Sequence, residues 1–382
     1  MSVVEQLQQY PPPSEGEIKQ MKPVITVPVA ANGGSGTHSY SKNSLYQQLC
    51  ANLEKEKIQE AIRKKLDVKT LSSVSNTFRI ADMGCAAGPN TFITTEHLLE
   101  AIKQKYQNQC PNSEMPQFQV FFSDLPSNDF NTLFASLPPD REYFAVGVPG
   151  SFYDRLFPES SLHFVYNSYA LQWLSNSPQE LQDKNSLTYN KGKIHLTSAR
   201  KEVIDAYAAQ FARDTGSFLN NRAKELVPGG MLVIVMPGVP YGLPYAETTA
   251  GMMFDTMTSI LLDMVEKGYV SESQLDTFNL PFYAACPEDI MPLVEEKGQY
   301  SIERMELTNP SSWLKGPINI HEWIDHVRAA MEGHFSRHFG SGIVDDLFGR
   351  LIQQLSDNYQ KLESQYRDKT QLSVILKRKN SA

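Results

Sequence analysis

The chain reads as an α/β protein: a mostly parallel sheet of seven strands with an antiparallel edge, roofed by an α-helical cap. Three observations predict this. Seven short apolar runs follow one another along the 382 residues, and helical patterns separate most of them, which is the βαβ alternation of a parallel sheet. The first run, Phe78–Met83, passes into a turn punctuated by Gly84 and Gly88 and then into a helical stretch over Thr91–Gln104. Two segments rich in Met, Phe and Leu, 241–299 and 318–365, stand outside the alternation and supply the cap.

Residues 1–37 are rich in Pro, Gln and Glu and carry Pro11-Pro12-Pro13 and Gly33-Gly34-Ser35-Gly36, so a mobile arm is expected there. Ser44–Leu66 has Leu49, Leu53, Ile58 and Ile62 near helical spacing and ends on Arg63-Lys64-Lys65, where cations suit the helix dipole. Strands are placed at Phe78–Met83, Phe118–Asp124, Tyr143–Val148, Leu162–Ser168, Met231–Met236, Tyr300–Leu307 and Gln371–Lys377. The last two lie far apart and are free to pair antiparallel at one edge. Ser175–Ser198, with Tyr189-Asn190-Lys191-Gly192, is a polar loop. In the cap, Thr248–Glu266 sets Met252, Met253, Met257, Ile260, Leu261 and Met264 on more than one helical face, as in a helix buried on two sides. The sheet core is thus expected to comprise 38–240, 300–317 and 366–382.

Composition excludes several classes. A formal net charge of −8 without a Lys/Arg stripe gives no electrostatic basis for binding nucleic acid. Cys50, Cys85, Cys110 and Cys286 are scattered without paired spacing, which points to a reducing compartment and away from a disulfide framework or zinc cluster. No run of 18 apolar residues occurs, and a soluble cytoplasmic protein is expected.

The turn Asp82-Met83-Gly84-Cys85-Ala86-Ala87-Gly88-Pro89-Asn90-Thr91 carries the chemistry. Ligands of α/β sheets lie beyond the carboxyl ends of the strands, and Gly84 and Gly88 are expected to let the backbone approach one closely. The spacing D-x-G-x-x-x-G-P-N is not the dinucleotide fingerprint and suits a ligand without a pyrophosphate, such as S-adenosylmethionine; an ordinary tight turn is the alternative. An NAD-linked dehydrogenase would need a third glycine and an acid about 20 residues on; here the next strand-end acid is Asp124. A carboxylate at Asp124 can take both ribose hydroxyls, with Leu125 on the adenine face, or it can cap the segment after Ser127. Ser151 and Phe152 suit the adenine edge and face, although Phe152 also reads as core. Tyr40, Asn43 and Ser44 lie upstream, where they can close over the methionine end.

With these residues in view, the chain resembles the plant SABATH family of S-adenosylmethionine-dependent carboxyl and N-methyltransferases. The resemblance rests on Gly33-Gly34 with Ser39–Gln47, the turn Asp82–Thr91, Asp124–Asn131, Val148–Tyr153, Ser168–Ser175, Asn190-Lys191-Gly192 and Asp276–Pro281, in this order. It implies a Rossmann-like class I methyltransferase sheet and a homodimer. Cofactor contacts are implied at Tyr40, Asn43, Ser44, Asp82, Asn90, Asp124, Leu125, Ser151 and Phe152. Acceptor contacts are implied at Gln47, Tyr169, Gln172 and Trp173, with Met253, Phe254 and Phe348 as apolar walls. A magnesium-type site is implied at Asn190, Asp276, Phe278 and Asn279, although only Asp276 offers an anionic oxygen and the same residues can staple a turn.

Methyl transfer to a carboxylate needs little acid–base help, because carboxyl groups ionise near pH 4. Orientation and exclusion of water remain to be supplied, and near-attack placement can contribute roughly 7–11 kcal/mol. The Gln47 amide and the Trp173 indole N–H are neutral donors able to fix an anionic oxygen; the alternatives are a packing role for Trp173 and an exposed helix position for Gln47. His334 and His338 read as a surface pair, His38 as a loop residue, His163 as a core histidine and Cys85 as a small packing residue. Phe282-Tyr283-Ala284 gives an apolar acceptor wall with Tyr283 as its hydroxyl, which suits a small aromatic or terpenoid-type acid. N-methylation of a purine-like heterocycle and a silent ligand-binding relative are the alternatives.

Overall fold

A computed structural model describes residues 28–72, 76–310 and 316–380. Its seven strands are β1 (Thr77–Met83), β2 (Gln117–Asp124), β3 (Phe144–Pro149), β4 (Leu162–Ser168), β5 (Leu226–Pro237), β6 (Tyr300–Thr308) and β7 (Gln371–Arg378). They form one sheet in the order β3-β2-β1-β4-β5-β7-β6. The first five strands are parallel, and β7 inserts antiparallel between β5 and β6. The chain runs outward from β1 to β2 and β3, then returns to place β4 on the other flank. That reversal opens a crevice above the carboxyl ends of β1 and β4, the topological place for a ligand.

The central strands are apolar on both faces because each face is covered. In β5, Leu232, Ile234 and Met236 pack toward α5 (Lys201–Glu225) and α8 (Pro287–Lys297). The alternating Met231, Val233 and Val235 pack toward α1 (Leu45–Lys65) and α3 (Asn90–Gln109). This is the period-two pattern of a strand between two layers. The short α2 (Val68–Ser72) and α4 (Phe130–Ala135) complete this part.

A third apolar cluster holds the cap together. It joins α6 (Thr249–Glu266), α7 (Glu272–Thr277), α9 (Ile320–Phe339), α10 (Val344–Asp357) and α11 (Tyr359–Glu363). Met252, Met257, Ile260, Leu261 and Met264 of α6 are all buried in it, as the two-sided pattern predicts.

Two expectations are corrected. Helix α1 does not bury Leu53, which is 40% exposed; the buried face carries Gln47, Cys50, Glu54, Ile58, Ala61 and Ile62. Polar side chains hold that phase because they have partners: Glu54 accepts from Thr308 Oγ1 at 3.0 Å and from Gln371 Nε2 at 3.0 Å. The second concerns the expected arm. Its first part, 1–27, lies outside the described residues, but 28–37 forms a strap tied to both halves of the molecule. Asn32 donates from its main chain to Ala329 O at 2.9 Å and from Nδ2 to Glu332 Oε2 at 3.1 Å, both on α9. Gly34 N–H donates to Asp129 Oδ2 at 2.7 Å, at the start of α4.

Candidate active site

One cavity of about 230 Å³ occupies the crevice, between the strand ends, the cap and the strap. Its floor is built at the carboxyl ends of the parallel strands: Gly84 and Ala86 after β1, Asp124 and Leu125 at β2, Ser151 and Phe152 after β3, and Tyr169, Ala170, Gln172, Trp173 and Leu174 after β4. The cap supplies Met253, Phe254, Phe282, Trp323, His326, Met331 and His334, and the strap supplies Pro28 to Ala31.

One end of the cavity is organised by Asp124. Its Oδ2 accepts from Ala86 N–H at 2.8 Å and its Oδ1 from Leu125 N–H at 2.7 Å, which leaves a lone pair on each oxygen for a ligand. Ala86 adopts φ 52°, an uncommon angle for alanine, and this turns its N–H onto the carboxylate. Desolvation pushes the Asp124 carboxyl up to about 6, against the pull of those two N–H groups. Asp82 lies behind this floor. It is buried, accepts from Thr91 Oγ1, and rises to about 7 through burial and the neighbouring Asp124 charge. Asp82 therefore shapes the turn from below and does not line the cavity.

Gly84 lines the cavity and Gly88 does not, and both are also hemmed in by the chain itself. A Cβ on Gly84, at φ 86°, would stand 2.3 Å from Ala170 Cβ, and one on Gly88 would meet the Tyr40 ring at 3.2 Å. Their smallness serves the chain's own packing. Tyr40 lines the cavity, whereas Asn43 donates to Thr37 O and Ser39 O at 2.7 and 2.8 Å and holds its own loop. Asn90 Nδ2 donates to the main-chain oxygen of Ser44 at 2.8 Å, so this pair fastens α3 to the start of α1. Ser151 and Phe152 do line the cavity, and Phe152 packs edge-on to Phe218 with centroids 5.9 Å apart.

At the other end, Gln47 from α1 and Trp173 from the loop after β4 both reach the cavity. Trp173 is held by main-chain pairing: Leu174 N–H donates to Pro281 O at 2.8 Å and Tyr283 N–H to Gln172 O at 2.9 Å. Its indole stacks on His334, with centroids 5.0 Å apart and planes 13° from parallel. Tyr169, at φ 52°, points its hydroxyl at Gln371 Oε1, 2.8 Å away, and Gln172 Nε2 donates to Tyr169 O at 2.7 Å. Met253 and Phe254 line the cavity.

Three expectations at this end are corrected. Phe348 is cap interior: it is buried against Phe335 and under the Arg328 guanidinium, and does not line the cavity. Tyr283 turns away to stack on Phe211 and donates to Asp289 Oδ2 at 3.3 Å. His334 and His338 are not a surface pair: His334 is buried at the cavity wall, and His338 Nε2 lies 2.8 Å from Gln274 O among aromatic rings. Burial lowers both, His334 to about 4. The residue not anticipated is His326, a half-buried neighbour of Gln47 at 2.8 Å. A signal for it existed, since Trp323, His326, Val327, Ala330, Met331 and His334 fall on one face of α9 at helical spacing.

The expected magnesium set converges, in an arrangement that suits a clasp. Asp276 accepts from Tyr189 Oη at 2.5 Å and from Gly192 N–H at 2.9 Å, so both its oxygens hold donors. Asn190 Nδ2 donates to Asn279 Oδ1 at 2.8 Å, and Phe278 is packed among Phe335, Phe339 and His338. Among the described residues no group of three or more His, Cys, Asp or Glu side chains is placed to hold a metal ion. The clasp ties the 175–198 loop to α7, and no step of the chemistry is assigned to a cation there.

Comparison with known proteins agrees with this geometry. A family model described as "SAM dependent carboxyl methyltransferase" matches residues 27–379. A loganic acid O-methyltransferase of Catharanthus roseus is 43% identical over 91% of this chain and 94% of that protein. A farnesoic acid carboxyl-O-methyltransferase of Arabidopsis thaliana is 44% identical over 72% of this chain and 77% of that protein. A solved structure of a loganic acid methyltransferase with SAH superposes with a TM-score of 0.88, at 43% identity, over 92% of this chain and 99% of that one. On the match of sequence, fold and cofactor crevice, the chain belongs to the S-adenosylmethionine-dependent carboxyl methyltransferases, the SABATH family that its motifs resemble.

Proposed function

We propose that the protein esterifies a small carboxylic acid of isoprenoid type. The observation that carries this reading is the pairing, across one cavity, of an anionic cofactor floor at Asp124 with two neutral donors, Gln47 and Trp173, set among apolar walls. The apolar lining by Met253, Phe254, Phe282 and Met331 suits a hydrocarbon-rich body. The relatives named for loganic and farnesoic acid act on isoprenoid acids, which supports the same class here.

When bound, S-adenosylmethionine supplies a methyl group activated by a positive sulfur. The residues of this chain then have three tasks. Asp124 holds the ribose hydroxyls, and Leu125 and Phe152 enclose the base. Gln47 and Trp173 donate to one acceptor oxygen without neutralising it, so the other stays a nucleophile. The cap and the strap exclude water, which strengthens attraction between carboxylate and sulfonium. No side chain is asked to act as a base, since the acid arrives ionised.

A homodimer and a cytoplasmic location complete the reading; the family resemblance supports the first and the four free cysteines the second. Light scattering of the purified chain tests the dimer. The test of function is methyl-ester formation from loganic, farnesoic and benzoic acids, with a xanthine as the neutral control. Ester from the isoprenoid acids and none from the xanthine is expected; methyl transfer to the xanthine nitrogen alone would overturn the reading.

A further inference from the structure

We infer that His326 is the positioning residue for the acceptor carboxylate: its Nδ1–H donates to Gln47 Oε1 and so turns the Gln47 amide nitrogen toward the acceptor. The inference rests on the carboxylate-anchoring role given to Gln47 above.

Gln47 on α1 and His326 on α9 face each other from opposite sides of the cavity's edge, and both line it. The amide and the ring meet at 2.8 Å, drawn with Gln47 Nε2 against His326 Nδ1. In that orientation Gln47 Oε1 is buried without a partner, and a buried acceptor left without a donor is costly. An amide's oxygen and nitrogen exchange places by a half-turn, and the hydrogen-bond network decides which orientation holds. After the half-turn Oε1 faces Nδ1, and the stranded end of the amide becomes an NH2 group.

The chemistry of the acceptor selects the same orientation. An ionised carboxylate only accepts hydrogen bonds, so the amide can hold it through nitrogen alone. With its oxygen committed to His326, Gln47 presents nitrogen and nothing else. The imidazole suits this task because it is neutral: burial pushes it down to about 3, so only one ring nitrogen carries a proton. The ring is also held in place by Tyr46, with centroids 4.7 Å apart and planes 42° from parallel. Moving that proton to Nε2 would reverse the amide and favour an acceptor that donates. The choice of tautomer thus sets which acceptors the site accepts.

Two measurements test this on the full chain. Long-range proton–nitrogen correlation spectra of histidine-labelled protein, with S-adenosylhomocysteine bound and the His326 signal assigned by its loss in His326→Asn, should show a protonated Nδ1. A protonated Nε2 alone overturns the inference. Steady-state methylation of loganic acid gives the second. His326→Phe should raise the acceptor KM about 10- to 100-fold, while kcat changes less than about threefold. Affinity for S-adenosylhomocysteine should not change. His326→Asn, whose amide nitrogen stands near the place of Nδ1, should return KM to within about threefold of the parent. A Phe variant with the parent's KM, or an Asn variant no better than Phe, contradicts the positioning role. Absence of ester from every acid tested with the parent enzyme would instead defeat the carboxylate reading, and the tautomer, read without turnover, tells the two failures apart.

Discussion

Asp124 shows how a single side chain couples fold to ligand. Its two oxygens are pinned by the N–H groups of Ala86 and Leu125, yet desolvation keeps its acidity near 6. Only the ionised form accepts two hydroxyls, so affinity for S-adenosylhomocysteine should fall as pH drops from 7.5 to 5.5. Asp124→Asn should bind about tenfold or more weakly at pH 7.5 and show little of that pH dependence, both read by calorimetry. Trp173→Phe keeps the stacking on His334 and removes the donor; kcat/KM for the acid should fall about tenfold with cofactor affinity unchanged. At this scale the sequence was informative where a residue ends a strand or follows one closely, as with Asp124, Ser151 and Trp173. It was not where a residue's part depends on a partner distant in the chain. His326 has meaning only beside Gln47, 279 residues earlier, and Asp276 only beside Tyr189. Phe348 and Tyr283 failed as site residues for a related reason, since apolar pattern marks burial without saying which cavity or core is filled.

The loop after β3 depends on an ion pair inside α5. Arg222 and Glu225 are both fully buried, 2.7 Å apart. Arg222 donates to Phe152 O and to Asp154 O, and Glu225 Oε1 accepts from Leu156 and Phe157 N–H at 2.6 and 3.0 Å. The pair therefore fixes the segment that carries Ser151 and Phe152. Glu225→Ala leaves a buried guanidinium uncompensated and should destabilise the protein by roughly 3–5 kcal/mol in denaturant titrations. Cofactor affinity should weaken with it. The strap is the complementary element at the open side. Asp129→Ala removes the acceptor for Gly34 N–H and the cap of α4, and should raise the acceptor KM while costing about 1 kcal/mol of stability. Strands and long helices were legible because period-two and helical spacing are local properties; the strap was not, because a polar, glycine-rich segment carries no period and gains its order from Asp129, Ala329 and Glu332.

For the molecule as a whole, the seven apolar runs become one sheet in the order β3-β2-β1-β4-β5-β7-β6, and the reversal at β1 and β4 fixes where the crevice opens. The buried acids below that crevice make stability depend on pH. Asp82 in the folded protein holds its proton up to about pH 7, while an exposed aspartate loses it near 3.9. The folded state thus binds more protons between those values, and stability falls as pH rises through that window before levelling above it. Asp82→Asn should flatten this decline between pH 5 and 7.5 in chemical denaturation, leaving the Asp124 contribution behind. The central claim joins both ends of the cavity: a methyl group passes from S-adenosylmethionine to a carboxylate oxygen held by Gln47 and Trp173. It is tested most directly by incubating the protein with methyl-labelled S-adenosylmethionine and loganic or farnesoic acid and analysing the product by mass spectrometry. The account predicts a labelled methyl ester; tight binding of S-adenosylhomocysteine with no ester from either acid would contradict it.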